Sequence, residues 1–186
     1  MSSRAMTIPA PQVPGVDEAT IKVTDPRLIQ VVLDGEALTR LSPILEADRA
    51  QAVADLTVEN HFSPLTLKPR QDAHAGGPFA LNLSIQEGRL VFDIRAEDGI
   101  TQLSAVLLAL GPFRGLIKDY QMLVDSHILA VEEGREARIQ AIDMGRRGLH
   151  DEGANLMRSR LESKIEIDFE TARRLFTLVC VLHQRI

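Results

Sequence analysis

The stretch Phe79-Ala80-Leu81-Asn82-Leu83-Ser84-Ile85-Gln86-Glu87-Gly88-Arg89-Leu90-Val91-Phe92-Asp93-Ile94-Arg95-Ala96 decides the fold. Phe79, Leu81, Leu83 and Ile85 alternate with Ala80, Asn82, Ser84 and Gln86. A period of two puts one face of a strand on a core and the other toward water. Glu87-Gly88 supplies a two-residue turn, because Gly tolerates the positive φ that tight hairpins require. Leu90, Phe92, Ile94 and Ala96 resume the alternation, and Asp98-Gly99 turns the chain again into Thr101–Leu110. Two turns at this spacing predict a three-stranded antiparallel meander.

Working outward, the β-branched run Leu28-Ile29-Gln30-Val31-Val32-Leu33, ended by Asp34-Gly35, reads as a first strand. Ser42-Pro43 then opens a helix to about Asn60, with Ser42 suited to the N-cap and proline to the first helical position. Its stripe is Leu45, Arg49, Ala52, Val53 and Leu56. His61 to Pro78 holds three prolines and Gly76-Gly77, and reads as a loop. Residues Met1 to about Asp25, with Pro9, Pro11, Pro14 and Gly15, predict a flexible tail with at most a short strand around Ile21–Val23.

Downstream, Gly111-Pro112 stops the sheet and starts a helix striped by Phe113, Leu116, Ile117, Tyr120, Val124, Ile128 and Val131, which Gly134 closes. A further helix runs from about Arg135 to Lys164, and Asp168 can cap a last one through Gln184. That last helix is apolar nearly all round from Leu175 to Leu182, so it should be the central, most buried one. The expected fold is α+β, a single domain over residues 26–186 behind the tail of 1–25. Its antiparallel sheet is built on the meander and packs against a helical C-terminal half of about three helices.

Composition bounds the rest. With 45% hydrophobic and 25% charged residues the 186-residue chain is ordinary for a globular protein. Aromatics are only 4%, with no Trp and one Tyr, so packing must rely on Leu, Ile and Val. A formal charge of −5 argues against non-specific binding to nucleic acid or anionic membranes. No apolar run approaches the roughly 20 residues that span a bilayer, and the N-terminal stretch lacks a signal-peptide pattern. The single Cys180 cannot form a disulfide within one chain, which fits a reducing compartment, and the expected location is the cytoplasm.

Several segments together resemble an uncharacterised bacterial protein family, number 0262 in its series. They are Gly88-Arg89-Leu90-Val91-Phe92-Asp93-Ile94-Arg95, Pro112-Phe113-Arg114, Lys118-Asp119-Tyr120, the run from Ala141 through Asp143-Met144-Gly145-Arg146-Arg147-Gly148 to His150, and Ile167-Asp168-Phe169-Glu170-Thr171-Ala172-Arg173-Arg174-Leu175-Phe176. The resemblance covers about Asp25 to the C-terminus. It implies a bacterial, intracellular protein and brings no activity, cofactor or catalytic residue with it.

The most unusual stretch is Asp143 to Gly153. Three glycines fall within nine residues of a helix, each costing about 1 kcal/mol relative to Ala. Either the helix breaks near Gly148, or the glycines permit close approach by another backbone or a ligand. On a continuous helix Asp143 meets Arg147, and Arg146 meets His150, one turn apart. Arg146 falls between Ile142 and Leu149 on the inward face, so it must be paired; the candidate acids are Asp143, Asp93 and Asp119. Asp143, His150 and Glu152 do not share one face, so no metal site is expected, and no cofactor. Arg114 and Lys118 lie one turn apart near the start of their helix, and Arg173-Arg174 sit near the start of the last, where a phosphate could be held. Asp143, Arg146, Arg147, His150, Arg114 and Lys118 are therefore the candidate ligand or partner residues.

No Walker loop, dinucleotide glycine fingerprint, nucleophile elbow or zinc-ligand cysteine pair occurs, which leans against an enzyme. The expected role is a cytoplasmic regulatory or protein-interaction module, acting on a protein partner or by self-association. The alternative is an enzyme or binding protein for a small phosphate- or carboxylate-bearing ligand, and the third an RNA- or ribosome-associated factor.

Overall fold

A βαβ unit opens the fold. Strand β1 (Leu28–Leu33) leads into helix α1 (Pro43–Val58), and the chain returns through a short strand, β2 (Phe62–Pro64), to β3 (Phe79–Gln86). β3 runs parallel to β1, with Val31 beside Leu81 and Leu33 beside Leu83; a parallel pair needs such a crossover. β4 (Arg89–Arg95) and β5 (Gln102–Ala109) follow antiparallel, giving the order β1-β3-β4-β5. The expected antiparallel sheet on a three-stranded meander is thus corrected to a four-stranded, mixed, mostly antiparallel sheet. At the β3–β4 turn Glu87 has φ 50° and Gly88 φ 72°, the doubly positive form that matches strand twist.

The computed structural model describes residues 24–34, 41–68 and 73–184. All but the last two residues of the expected N-terminal tail, and the short strand around Ile21–Val23, lie outside them.

A short 3-10 turn over Gly111–Phe113 leads into α2 (Arg114–Glu132), then α3 (Glu136–Leu161), β6 (Ile165–Ile167) and α4 (Phe169–His183). Asp168 caps α4, its Oδ1 accepting the Thr171 N–H at 2.6 Å. Ser42 occupies the N-cap position of α1, but its hydroxyl makes no capping bond. The stretch expected as loop from His61 also differs: β2 pairs antiparallel with β6, Phe62 facing Ile167. That pairing ties the crossover to the connection before α4.

The helices lie on one face of the sheet. Leu81, Leu83, Phe92 and Ile94 on that face are fully buried, and every residue of α4 from Leu175 to Leu182 is buried against the core. Burying one such side chain contributes about 1.5–3 kcal/mol, so the all-apolar helix is the natural centre. α2 buries Ile117, Tyr120 and Val124, but Ile128 and Val131 of its predicted stripe are 36% and 54% exposed. The α2–α3 hairpin runs beyond the sheet there, and from 131 to 141 only Ile139 is even partly covered. α3 does not break at Gly148. Close approach explains Gly153 instead, where a Cβ would lie 2.2 Å from Phe176 Cδ1. Among the described residues no helix is long and apolar enough to cross a membrane.

Candidate functional site

Spacings of three and four put Asp143, Arg146 and His150 on one face of α3. α2 faces them with Tyr120 and α1 with Asp48. The Oδ2 of Asp48 accepts hydrogen bonds from both the Tyr120 hydroxyl and Arg146 Nη2. Arg146 Nη1 reaches Asp143 Oδ1 at 3.3 Å, and the guanidinium lies 5.9 Å from the Tyr120 ring centre. The His150 ring stacks on Tyr120 at 5.4 Å and meets the edge of Phe176 at 6.3 Å.

Three helices are therefore joined through one carboxylate. The Arg146 side chain is 13% exposed and Asp48 20%. Burial works to lower the arginine's pKa, but the hydrogen bond and charge of Asp48, with Tyr120 beside them, together more than offset it and hold the group above its usual value. Burial, with the Asp48 charge beside it, pushes the Tyr120 hydroxyl well above the ordinary phenol range. Burial lowers His150 to about 4, so its ring is neutral at pH 7. His150 Nε2 and Arg146 Nε are buried and have no hydrogen-bond partner among the described residues.

The inward, paired arginine inferred from the α3 stripe is found, but its acids are Asp48 and Asp143. Asp93 instead bonds Arg95, and Asp119 is exposed. Asp48 stands outside the stripe that α1's periodicity defines, whose charged member is its neighbour Arg49. The available signal was that Asp48 lies one turn from both Leu45 and Ala52, a carboxylate on an apolar face that needs a cation across the core. The structure gathers Asp143, Arg146 and His150 but leaves the other candidates apart. Arg147 is exposed on the far side of α3, Arg114 is exposed beside the Gly88 turn, and Lys118 is exposed on the rim of a shallow cavity with Met122 and His183. Glu152 is exposed, and no group of three or more His, Cys, Asp or Glu converges among the described residues.

Next to the network, α1, α3 and α4 enclose a half-open cavity of about 140 Å³ lined in part by Asp48, Gln51, Asp55, His150, Arg173 and Arg174. Arg173 bonds Asp151 at 2.9 Å and Arg174 bonds Asp55 at 3.2 Å. The pair expected to hold a phosphate is thus already matched by acids, and mixed charge lines the wall.

A second feature lies across the molecule. β5 reads Gln102-Leu103-Ser104-Ala105-Val106-Leu107-Leu108-Ala109, without charge, proline or glycine. It is an edge strand, and among the described residues its backbone hydrogen-bonds with β4 alone. Val106 and Leu108 point into the core, while Ala105, Leu107 and Ala109 are exposed on the face without helices, Leu107 at 47%.

A family model described as "Uncharacterised protein family (UPF0262)" matches residues 25–185. A UPF0262 protein of Granulibacter bethesdensis is 66% identical over 171 residues, 91% of this chain and 97% of that protein. One from Acidiphilium cryptum is 57% identical over 159 residues, covering 86% and 93% of the two chains. One from Rhizobium leguminosarum bv. trifolii is 49% identical over 161 residues, covering 87% and 97%. No solved structure matches the chain. With the family model spanning nearly all of the sequence and these relatives aligned over most of their length, the chain belongs to the uncharacterised bacterial protein family UPF0262.

Proposed function

We propose that the protein is an interaction module that assembles through the free edge of β5, and that the strand it pairs with is β5 of a second copy. The carrying observation is the edge itself: eight residues with no charge, proline or glycine, hydrogen-bonded on one side only. Soluble proteins ordinarily blunt such an edge with Lys, Pro or a bulge, because its unpaired N–H and C=O groups are a template for another strand; in β5 the register shifts at Leu103, so the regular open edge is the stretch from Ser104 to Ala109. An edge left open in this way suits docking by strand addition.

Self-pairing fits the side chains and the charges. An antiparallel pair centred on Val106 sets Leu107 of one copy beside Ala105 of the other, large against small, on the exposed face. It also brings opposite ends of the strand together. At the Ala109 end lie Arg89, which pairs with Ala109, and Arg114, close to Gly88, with exposed Glu87 in the same turn. At the Gln102 end lie exposed Glu97 and Asp98, while Asp93 and Arg95 cancel each other at 2.8 Å. A net basic end thus meets a net acidic one, twice by symmetry. An RNA-binding role draws no support from the formal net charge of −5, and Arg27, Arg95, Arg146, Arg173 and Arg174 are each bonded to a carboxylate.

Sedimentation velocity of the full chain tests this. Wild type should sediment as a dimer, and Leu107→Lys, which alters only an exposed position, should shift it to a folded monomer. A wild type that stays monomeric at every concentration, or a Leu107→Lys dimer as tight as wild type, would overturn the reading.

A further inference from the structure

We infer that the outer edge of β6 is a second docking site, independent of β5, for an extended segment of a partner protein with the pattern apolar–basic–apolar. Among the described residues β6 pairs with β2 alone. Its other side opens onto a groove whose far wall is Arg158, Ser159 and Glu162, at the end of α3.

The β2–β6 register decides which backbone groups face that groove. Leu65 N–H donates to the Lys164 carbonyl at 2.9 Å, whereas Phe62 N–H turns away from β6 to the Pro26 carbonyl at 2.7 Å. Bonded and non-bonded pairs alternate along an antiparallel ladder, so Ser63 and Glu166 are the pair that exchanges hydrogen bonds. Ile165 and Ile167 therefore turn their N–H and C=O groups into the groove, where no described residue bonds them. An added antiparallel strand satisfies all four groups with only two of its own residues. Those two share the side of the Ile165 and Ile167 side chains, which are 1% and 5% exposed, so apolar residues fit there. The residue between them stands across from Glu166, on the opposite, exposed face. In β2 the neighbour of Glu166 is the uncharged Ser63, and among the described residues the one group within ion-pair distance is His61, at 3.4 Å. Opposite charges directly across strands attract, so a lysine or arginine belongs at that middle position.

The experiment titrates the isotope-labelled full chain with the end-blocked peptide Thr-Val-Lys-Val-Thr and follows amide resonances by NMR. The Ile165 and Ile167 amides should shift saturably and exchange more slowly with solvent. Replacing both valines by proline removes the N–H groups that the Ile165 and Ile167 carbonyls would accept, and should abolish the response. Replacing the lysine by glutamate should weaken binding at least about threefold. Glu166→Lys, at an exposed position, should reverse the preference between these two peptides. The inference fails if the two amides do not respond up to the solubility limit of the peptide. It fails equally if the proline peptide binds as well, or if wild type takes the lysine and glutamate peptides alike. Amides already protected without peptide, and losing that protection on dilution, would assign the groove to a second copy and overturn it too.

Discussion

Without the Arg146 guanidinium, the largely buried Asp48 carboxylate would keep only the Tyr120 hydroxyl as a partner. Stranding one half of a buried pair costs about 3–5 kcal/mol, so Arg146→Ala should lower urea stability by that much. Arg147→Ala, on the exposed face one residue along, should stay within about 0.5 kcal/mol of wild type. Equal and negligible losses in the two melts would mean that the three-helix network stabilises nothing. His150 makes a separate, pH-dependent case. Its folded value of about 4 lies below the usual 6.5, so the unfolded chain takes up a proton first as pH falls. Its contribution is intact above about pH 6.5 and is lost progressively down to about pH 4, on the order of 3 kcal/mol in all. The urea midpoint should therefore fall over that range more steeply for wild type than for His150→Phe, which keeps a ring on Tyr120. Parallel pH profiles would show that this imidazole is not held neutral by burial. At this scale the sequence disclosed that Arg146 needs a partner, because a charge between Ile142 and Leu149 is conspicuous. It did not disclose Asp48, which stands 98 residues away on a helix whose stripe is less regular.

Among the elements, α3 shows how one residue type can answer to two causes. A Cβ on Gly153 would overlap the Phe176 ring, so Gly153→Ala should destabilise by about 1–3 kcal/mol through overpacking. At Gly148 a Cβ would meet nothing within 4 Å, so Gly148→Ala should stabilise by up to about 1 kcal/mol, the ordinary gain of helix propensity. Thermal melts showing the same sign for both would remove close packing as the reason for Gly153. The two glycines look alike in the sequence, and only the position of α4 separates them. The same division runs through the other elements. Alternation in β4, the Asp168 cap and the apolar α4 are local patterns, and each is present as expected; β3 forms as a strand but buries Ala80 and Ser84 of its expected outer face as well. The β1–β3 and β2–β6 pairings join segments far apart in the chain, and periodicity within a window does not register them. The strand-helix-strand order of β1, α1 and β3 did hold the clue to a parallel pair, since that connection is the usual one. Ser42 had the right residue type for a cap, but its hydroxyl is buried and has no partner among the described residues.

For the whole molecule, the proposal rests on β5, which among the described residues pairs with β4 alone and exposes Ala105, Leu107 and Ala109. The sequence carried half of this: the run from Leu103 to Ala109 is visibly uncharged, but its place at the sheet edge follows from the strand order and not from the run itself. The most direct test is hydrogen–deuterium exchange at β5 in the full chain, followed over a concentration series spanning dimer and monomer. Amides of residues 102–109 should be protected at high concentration and lose protection on dilution, while those of β3, paired on both sides, stay protected throughout. β5 amides that exchange at one rate at every concentration would contradict assembly through this edge.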